Sequence, residues 1–295
     1  MSKILRSSFC VLLSAGMAAC SGGGGGGHDN GPASPTVNGG GNDVGSLIGE
    51  ARPSIEFAAA PNTANGSLSL NGATTDILFD GSFRPTIKVT GRGSIATMND
   101  APVSSYDGFN VYVKYGGTGD TVMIANSADK SLNYTAFGVW AQGDIDTLLA
   151  NERGLVTDAA SFFGGAQTSV PATGTATYRG SATAIEVAAN DSTTMGLYTG
   201  AMSASVDFGA RTMSGSMALR NAATNANLTV NTGDMSITTA SGRFGGSDFT
   251  SSAGHVGSGN GRFFGPDQNE IGGAFRIAND TSTVIGAFGG AKDTP

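Results

Sequence analysis

From Thr175 to Phe288 the chain is a series of short runs in which apolar or β-branched residues alternate with small polar ones, with glycine-rich turn signals between them. The runs are Thr175–Val187, Gly200–Phe208, Thr212–Leu219, Met235–Thr239, Gly242–Phe249, Gly257–Phe264, Glu270–Ile277 and Thr283–Phe288. A period of two sends successive side chains to opposite faces of a strand, so each run can bury one face. About eight such strands at even spacing specify a sandwich or an up-and-down barrel. Eight antiparallel strands close into a barrel just wide enough for side chains to fill it. The last run, Val284-Ile285-Gly286-Ala287-Phe288, suits closure against the first.

The cysteine count removes one source of stability. Cys10 and Cys20 are the only cysteines, and both lie in the first 20 residues. The body therefore has no disulfide and no thiolate metal site, and it must be held by burial and sheet hydrogen bonds. Charged residues make up only 13% of the chain, while Gly, Ser, Thr, Ala and Asn abound. That composition favours an all-β, turn-rich exported protein over a helical one. The net charge is −7, and removal of a leader carrying Lys3 and Arg6 makes the remainder more acidic still. Such a chain is a poor partner for nucleic acid or for an anionic lipid surface.

Residues 1–19 read as a secretory leader: a basic start, an apolar stretch from Phe9 to Ala19, and small residues at its end. The apolar stretch is about half the ~20 residues that a membrane-spanning helix needs. Met17-Ala18-Ala19-Cys20 reads as a lipobox, and Gly22–Gly27 follow at once. Acylation of Cys20 would anchor the chain to a lipid membrane by several acyl chains, where one alone would be marginal. Ser21 in place of an aspartate favours the outer membrane. Residues 20–50, rich in Gly, Ser, Asn and Pro, read as a tether with an r.m.s. span of roughly 30 Å.

Residues 51–165 read as a smaller β domain, with strands expected at Ser67–Leu70, Thr86–Thr90, Asn110–Tyr115, Val122–Ala125 and Tyr134–Trp140. Asp144–Glu152 is the best helix candidate, from the spacing of Ile145, Leu148 and Leu149. Residues 157–174 mix Gly, Pro and Ser and read as the join to a barrel domain over 166–295.

Three segments near the C-terminus carry a resemblance. They are Gly261-Arg262-Phe263-Phe264-Gly265-Pro266, Glu270-Ile271-Gly272-Gly273-Ala274-Phe275 and Gly286-Ala287-Phe288-Gly289-Gly290-Ala291-Lys292. With Val170-Pro171-Ala172-Thr173-Gly174-Thr175-Ala176-Thr177-Tyr178-Arg179-Gly180 and the segment Asp207–Gly215, they resemble the β-barrel lipoproteins similar to transferrin-binding protein B. The resemblance covers 165–292 well. Phe264 stands where that family usually has Tyr, and the closing Gly-Gly-Ala-Lys carries an extra glycine. It implies a handle-like β domain followed by an eight-stranded antiparallel barrel, one lobe where the two-lobed receptors have two. It also implies surface display through an outer-membrane translocon, and, for an iron source as ligand, a TonB-dependent receptor as partner. The ligand classes it implies are an iron-carrier protein, haem or a haem protein, or another extracellular macromolecule. The motif glycines have a plain structural role, sharp corners and close strand crossings, with Phe263, Phe275 and Phe288 filling the interior or the seam.

Catalytic and metal chemistry finds little footing. The only histidines are His28, in the tether, and His255. A Ser-His-Asp triad would have to use His255, no G-x-S-x-G elbow occurs, and a His-rich zinc site is excluded. Gly257-Ser258-Gly259-Asn260-Gly261-Arg262 nearly spells a dinucleotide fingerprint, but no βαβ unit surrounds it. His255 in Ser251–Gly257 is the one candidate for an axial haem ligand. Among aromatics suited to a protein contact, Tyr106 and Phe109 are the first choice, because Ser104-Ser105-Tyr106-Asp107-Gly108 reads as a loop. The leading expectation is a non-enzymatic, surface-tethered lipoprotein that binds an extracellular ligand. The alternative is a structural or adhesive envelope lipoprotein with no dedicated solute.

Overall fold

The computed structural model describes residues 104–293 apart from 116–120, 127–131, 133, 145, 147–153, 166–167, 191–193 and 222. To these it adds the backbone of four strands between 68 and 97. The lipobox, the tether and most of the helix expected at 144–152 lie outside the described residues. All described residues belong to one unit, Ser34–Pro295.

The N-terminal strands are β1 (Leu68–Ser69), β2 (Thr74–Phe79), β3 (Pro85–Thr90) and β4 (Ile95–Thr97). Then come β5 (Ser104–Tyr106), β6 (Phe109–Lys114), β7 (Thr121–Asn126), β8 (Thr135–Gly143) and β9 (Val156–Gly165). Strands β2, β3 and β4 form a small sheet, and the rest make a six-stranded sheet of order β1-β9-β8-β7-β6-β5. The expectation of a join over 157–174 gives way here. Val156–Gly165 is a strand between β8 and β1, and Phe162 and Phe163 are both buried. Burial on both faces erases the alternation that would have announced the strand.

The second sheet closes on itself. Its strands are β10 (Thr175–Ala188), β11 (Thr194–Asp207), β12 (Thr212–Asn221), β13 (Asn227–Asn231), β14 (Met235–Thr238), β15 (Arg243–Ser251), β16 (Val256–Phe264), β17 (Glu270–Ala278) and β18 (Ser282–Lys292). Each pairs antiparallel with its neighbours, and β18 pairs with β10 over eleven residue pairs, from Tyr178↔Lys292 to Ala188↔Ser282. Nine strands make eight staves, because β13 and β14 occupy one position. Both lie between β12 and β15, one at each end. Thr232, Gly233 and Asp234 separate them opposite Ser214 and Gly215, and Thr232 exchanges hydrogen bonds with Gly215. The sequence reading had β14 but not β13, whose Asn-Leu-Thr-Val-Asn is bounded by asparagines that also signal turns.

The barrel is filled. Phe263 is the hub of its aromatic core, with ring centroids 5.4 Å from Phe244, 5.5 Å from Phe208 and 5.9 Å from Tyr178. Three motif glycines sit directly across the ladder from inward phenylalanines: Gly261 from Phe244, Gly273 from Phe288, and Gly286 from Phe275. A Cβ built on any of them would lie 2.2–2.3 Å from the ring. The ring lies over the bare backbone, so glycine here is a matter of space. Burying each such phenylalanine contributes about 1.5–3 kcal/mol.

The outer face of the barrel divides in two. Strands β12, β13 and β14 alternate strictly or nearly so, with one face in solvent. Strands β17, β18 and the second half of β10 are buried almost continuously. The six-stranded sheet covers them there. Ile185, Val187, Leu197, Ala274, Ile285 and Ala287 of the barrel share a core with Val111, Ile124, Phe137 and Val139 of that sheet. Phe264 points into this junction and meets Phe163 edge to face at 6.4 Å. Gly289 receives the Phe137 ring, where a Cβ would lie 2.5 Å away.

Candidate functional site

The two regions singled out in the sequence, 104–109 and His255, converge on two adjacent residues of β11. Asp107 and Gly108 are a two-residue hairpin turn, with φ of 49° and 79°, between the paired Tyr106 and Phe109. Positive φ at both positions is the geometry that Asp-Gly favours, and its twist matches the flanking strands. The expected loop is therefore β5 and a tight turn. Phe109 is fully buried, edge-on to Phe137 at 6.0 Å, and Tyr106 is partly buried against the same core. Phe109 offers no surface to a partner. The turn itself docks on the barrel: the Thr199 hydroxyl donates to Asp107 Oδ2 at 2.7 Å.

On the inner side of the neighbouring residue, Tyr198, lies a buried polar cluster. Tyr198 donates to Glu186 Oε2 at 2.9 Å, and the Ser282 hydroxyl donates to Glu186 Oε1 at 2.7 Å. His255 Nε2 lies 2.8 Å from Ser282 Oγ and 3.7 Å from Glu186 Oε1. His255 Nδ1 lies 2.7 Å from Ser251 Oγ. Because Ser282 gives its proton to the carboxylate, its oxygen accepts from Nε2–H. Nδ1 is then bare and accepts from the Ser251 hydroxyl. His255 is 1% exposed. Burial pushes its imidazole below the usual histidine value, against a smaller opposing pull from Glu186. Burial, then the charge and hydrogen bond of Glu186, push the Tyr198 phenol upward.

Glu186, Tyr198, Ser251 and Ser282 escaped the sequence reading. Glu186 had a signal: it is the one carboxylate in the run Ala182-Thr183-Ala184-Ile185-Glu186-Val187-Ala188. A charge so placed is rarely buried without partners. Both ring nitrogens of His255 are occupied by hydroxyls inside the barrel. The expected axial ligation of haem iron therefore has no open nitrogen in this arrangement.

Around the cluster, the turns at this mouth of the barrel are laced together. Ala189 N–H donates to Thr281 O, Asn279 Nδ2 donates to Ala253 O, and Ser252 N–H donates to Thr229 O. Their tips, including Ser252-Ala253-Gly254 and Asp280-Thr281, are exposed, and Val256 beside them is 64% exposed. The arrangement is a hydrogen-bonded rim that presents backbone and small polar side chains to solvent. Among the described residues no group of three or more His, Cys, Asp or Glu side chains is placed to hold a metal ion.

Residues 170–292 match the family described as the C-lobe and N-lobe beta barrels of Tf-binding protein B. Among solved structures, a transferrin-binding protein B double mutant from Haemophilus parasuis is 18% identical, with a TM-score of 0.45, over 76% of this chain and 51% of its own. The isotype 1 transferrin-binding protein B of Neisseria meningitidis is 15% identical, with a TM-score of 0.45, over 82% and 46%. The N-lobe domain of lactoferrin-binding protein B from Moraxella bovis is 14% identical, with a TM-score of 0.37, over 68% and 89%. The chain spans about half the length of the first transferrin-binding proteins that it matches. No curated protein matches it.

Proposed function

We propose that this chain, whose residues 170–292 match the β-barrel family of transferrin-binding protein B, is a surface-displayed, lipid-anchored binding protein without catalytic activity. The lipid anchor is acylated Cys20, with residues 20–50 as the leash, at the outer membrane and outside the cell. The ligand is an extracellular protein, an iron carrier or a haem protein. Free haem is less favoured, since His255 is engaged on both sides. A TonB-dependent receptor in the same membrane would take over a captured iron source, and a surface-lipoprotein translocon would deliver the chain there.

The observation that carries this reading is a family barrel whose interior is filled by its own side chains. With no room inside, a ligand must be met on the outside. The rim formed by the turns around 189, 253 and 280 supports this reading, because hydrogen bonds between the turns hold together an exposed edge that a ligand could meet. The second reading, a structural or adhesive envelope lipoprotein, is favoured by the scarcity of large apolar residues on the surface. Among the described residues only Tyr115, Leu155 and Val256 are exposed ones.

Protease shaving of intact cells, with lysed cells as control, separates the outcomes. Loss of the body from intact cells, followed by capture of transferrin-type or haem proteins by the purified chain, supports the binding reading. A shaved body that captures neither favours the adhesive reading. Protection until lysis overturns surface display. Labelling with radioactive palmitate that is lost in Cys20→Ser tests the anchor.

A further inference from the structure

Ser251 Oγ gathers three of the hydrogen bonds that shape the β15–β16 turn, beside the backbone bonds from Ser251 N–H to His255 O and from Gly254 N–H to Ser251 O. Ser251 Oγ accepts the backbone N–H of His255 at 3.2 Å and that of Ala253 at 3.3 Å, while its own hydrogen points to His255 Nδ1 at 2.7 Å. A hydroxyl has one hydrogen and two lone pairs, so this oxygen is fully used. The scheme works only while Nδ1 is bare. A proton on Nδ1 makes it a donor and gives Ser251 Oγ three donors for two lone pairs, with its own hydrogen left without the ring as acceptor. The Nε2 side has no such conflict, because Nε2 is already a donor to Ser282, which is anchored by Glu186.

We propose that the Ser251–His255 pair is a proton-operated latch that holds the 252–255 turn at neutral pH and releases it on acidification. The titratable groups facing the imidazole are Glu186 on β10 and, through that carboxylate, Tyr198 on β11. Strands β15 and β18 bring the Ser251 and Ser282 hydroxyls, and Asp280 in the β17–β18 turn is exposed to solvent. Glu186 holds the far side of the ring when it is charged, so the movement is confined to the turn. Burial, which lowers the imidazole's affinity for a proton, places the release on the acid side of the ordinary histidine range. Asn279 donates to Ala253 O across the rim, so release of the turn also loosens the β17–β18 turn. The rim thereby changes shape with pH, independently of what it binds.

The test is amide hydrogen exchange by NMR on the full chain, corrected for intrinsic rates, between about pH 7.5 and pH 5. The His255 ring resonances are followed in the same samples. Protection of the Ala253 and His255 amides should fall by about tenfold with the same midpoint as the ring. In His255→Gln the protection should not vary with pH. Should that variant not fold, Ser251→Ala keeps the imidazole and removes the shared oxygen, and its Ala253 amide should be unprotected at every pH. Protection that stays constant while the ring titrates overturns the latch. So does an equal loss in His255→Gln, a wild-type pH response in Ser251→Ala, or a ring that stays neutral throughout.

Discussion

At neutral pH His255 accepts one hydrogen bond and donates another inside the barrel, and both depend on its being uncharged. The unfolded chain carries a histidine near pKa 6.5, whereas the folded one is lower. As pH falls below that value the unfolded state binds the proton first. The stability that His255 contributes is therefore complete above about pH 6.5 and lost as pH falls through the lower folded value. Tyr198 has the opposite sign: its raised phenol contributes stability up to about pH 10, lost as pH rises through the higher folded value. Urea melts across pH should slope downward at both ends, and His255→Gln should flatten the acid limb alone. Ser282→Ala leaves Nε2–H and Glu186 Oε1 each short of a partner and should cost about 1–3 kcal/mol at pH 7 in the same melts. Gly286→Val drives its side chain into the Phe275 ring, where even a Cβ would lie at 2.3 Å, and should cost about 1–3 kcal/mol or more. That glycine was visible in the sequence as part of a motif. Its cause was not, because the phenylalanine above it belongs to the neighbouring strand.

The hairpin of β5 and β6 shows how far local sequence reaches. Ser104-Ser105-Tyr106-Asp107-Gly108 contains its own turn signal, Asp-Gly, and a reading weighted toward polar composition takes it for a loop. The burial of Phe109 is set by β8 and the barrel, which no local pattern discloses. The same holds for β9, whose two buried faces leave no alternation to read. By contrast β12, β13 and β14, with one face in solvent, alternate as the period requires, although β13 is too short and too rich in asparagine to stand out. The handle's attachment makes its own prediction. Asp107→Ala removes the acceptor of Thr199 Oγ1, and Gly289→Ala pushes against Phe137; both should weaken docking of the six-stranded sheet while the barrel stays closed. Limited proteolysis should then cut first between 166 and 174, leaving a resistant fragment that begins near Thr175. Cleavage within β10–β18 at equal rate would contradict that order.

At the scale of the molecule, closure rests on β18, which lies between β10 and β17 and is buried on both faces along most of its length. Deleting residues 283–295 should unfold the barrel, read as loss of the cooperative thermal transition, because two long edges replace a continuous ladder. A deletion variant that melts like the parent would show that the seam contributes nothing. The seam was legible in advance, since the final apolar run had no other place to go in an eight-stave array. What covers its outer face was legible only in part, as Gly289 and Phe264 are ordinary residues until the sheet above them is known. The seam also sets a competition in time. It joins residues about a hundred positions apart, so it forms after the hairpins that lead up to it. Until then a curved sheet exists with β10 and β18 unpaired, and each edge fits the other edge of any second copy as well as its own. Refolding yield should therefore fall with protein concentration, the lost fraction appearing as dimers joined edge to edge through exchanged β18 strands.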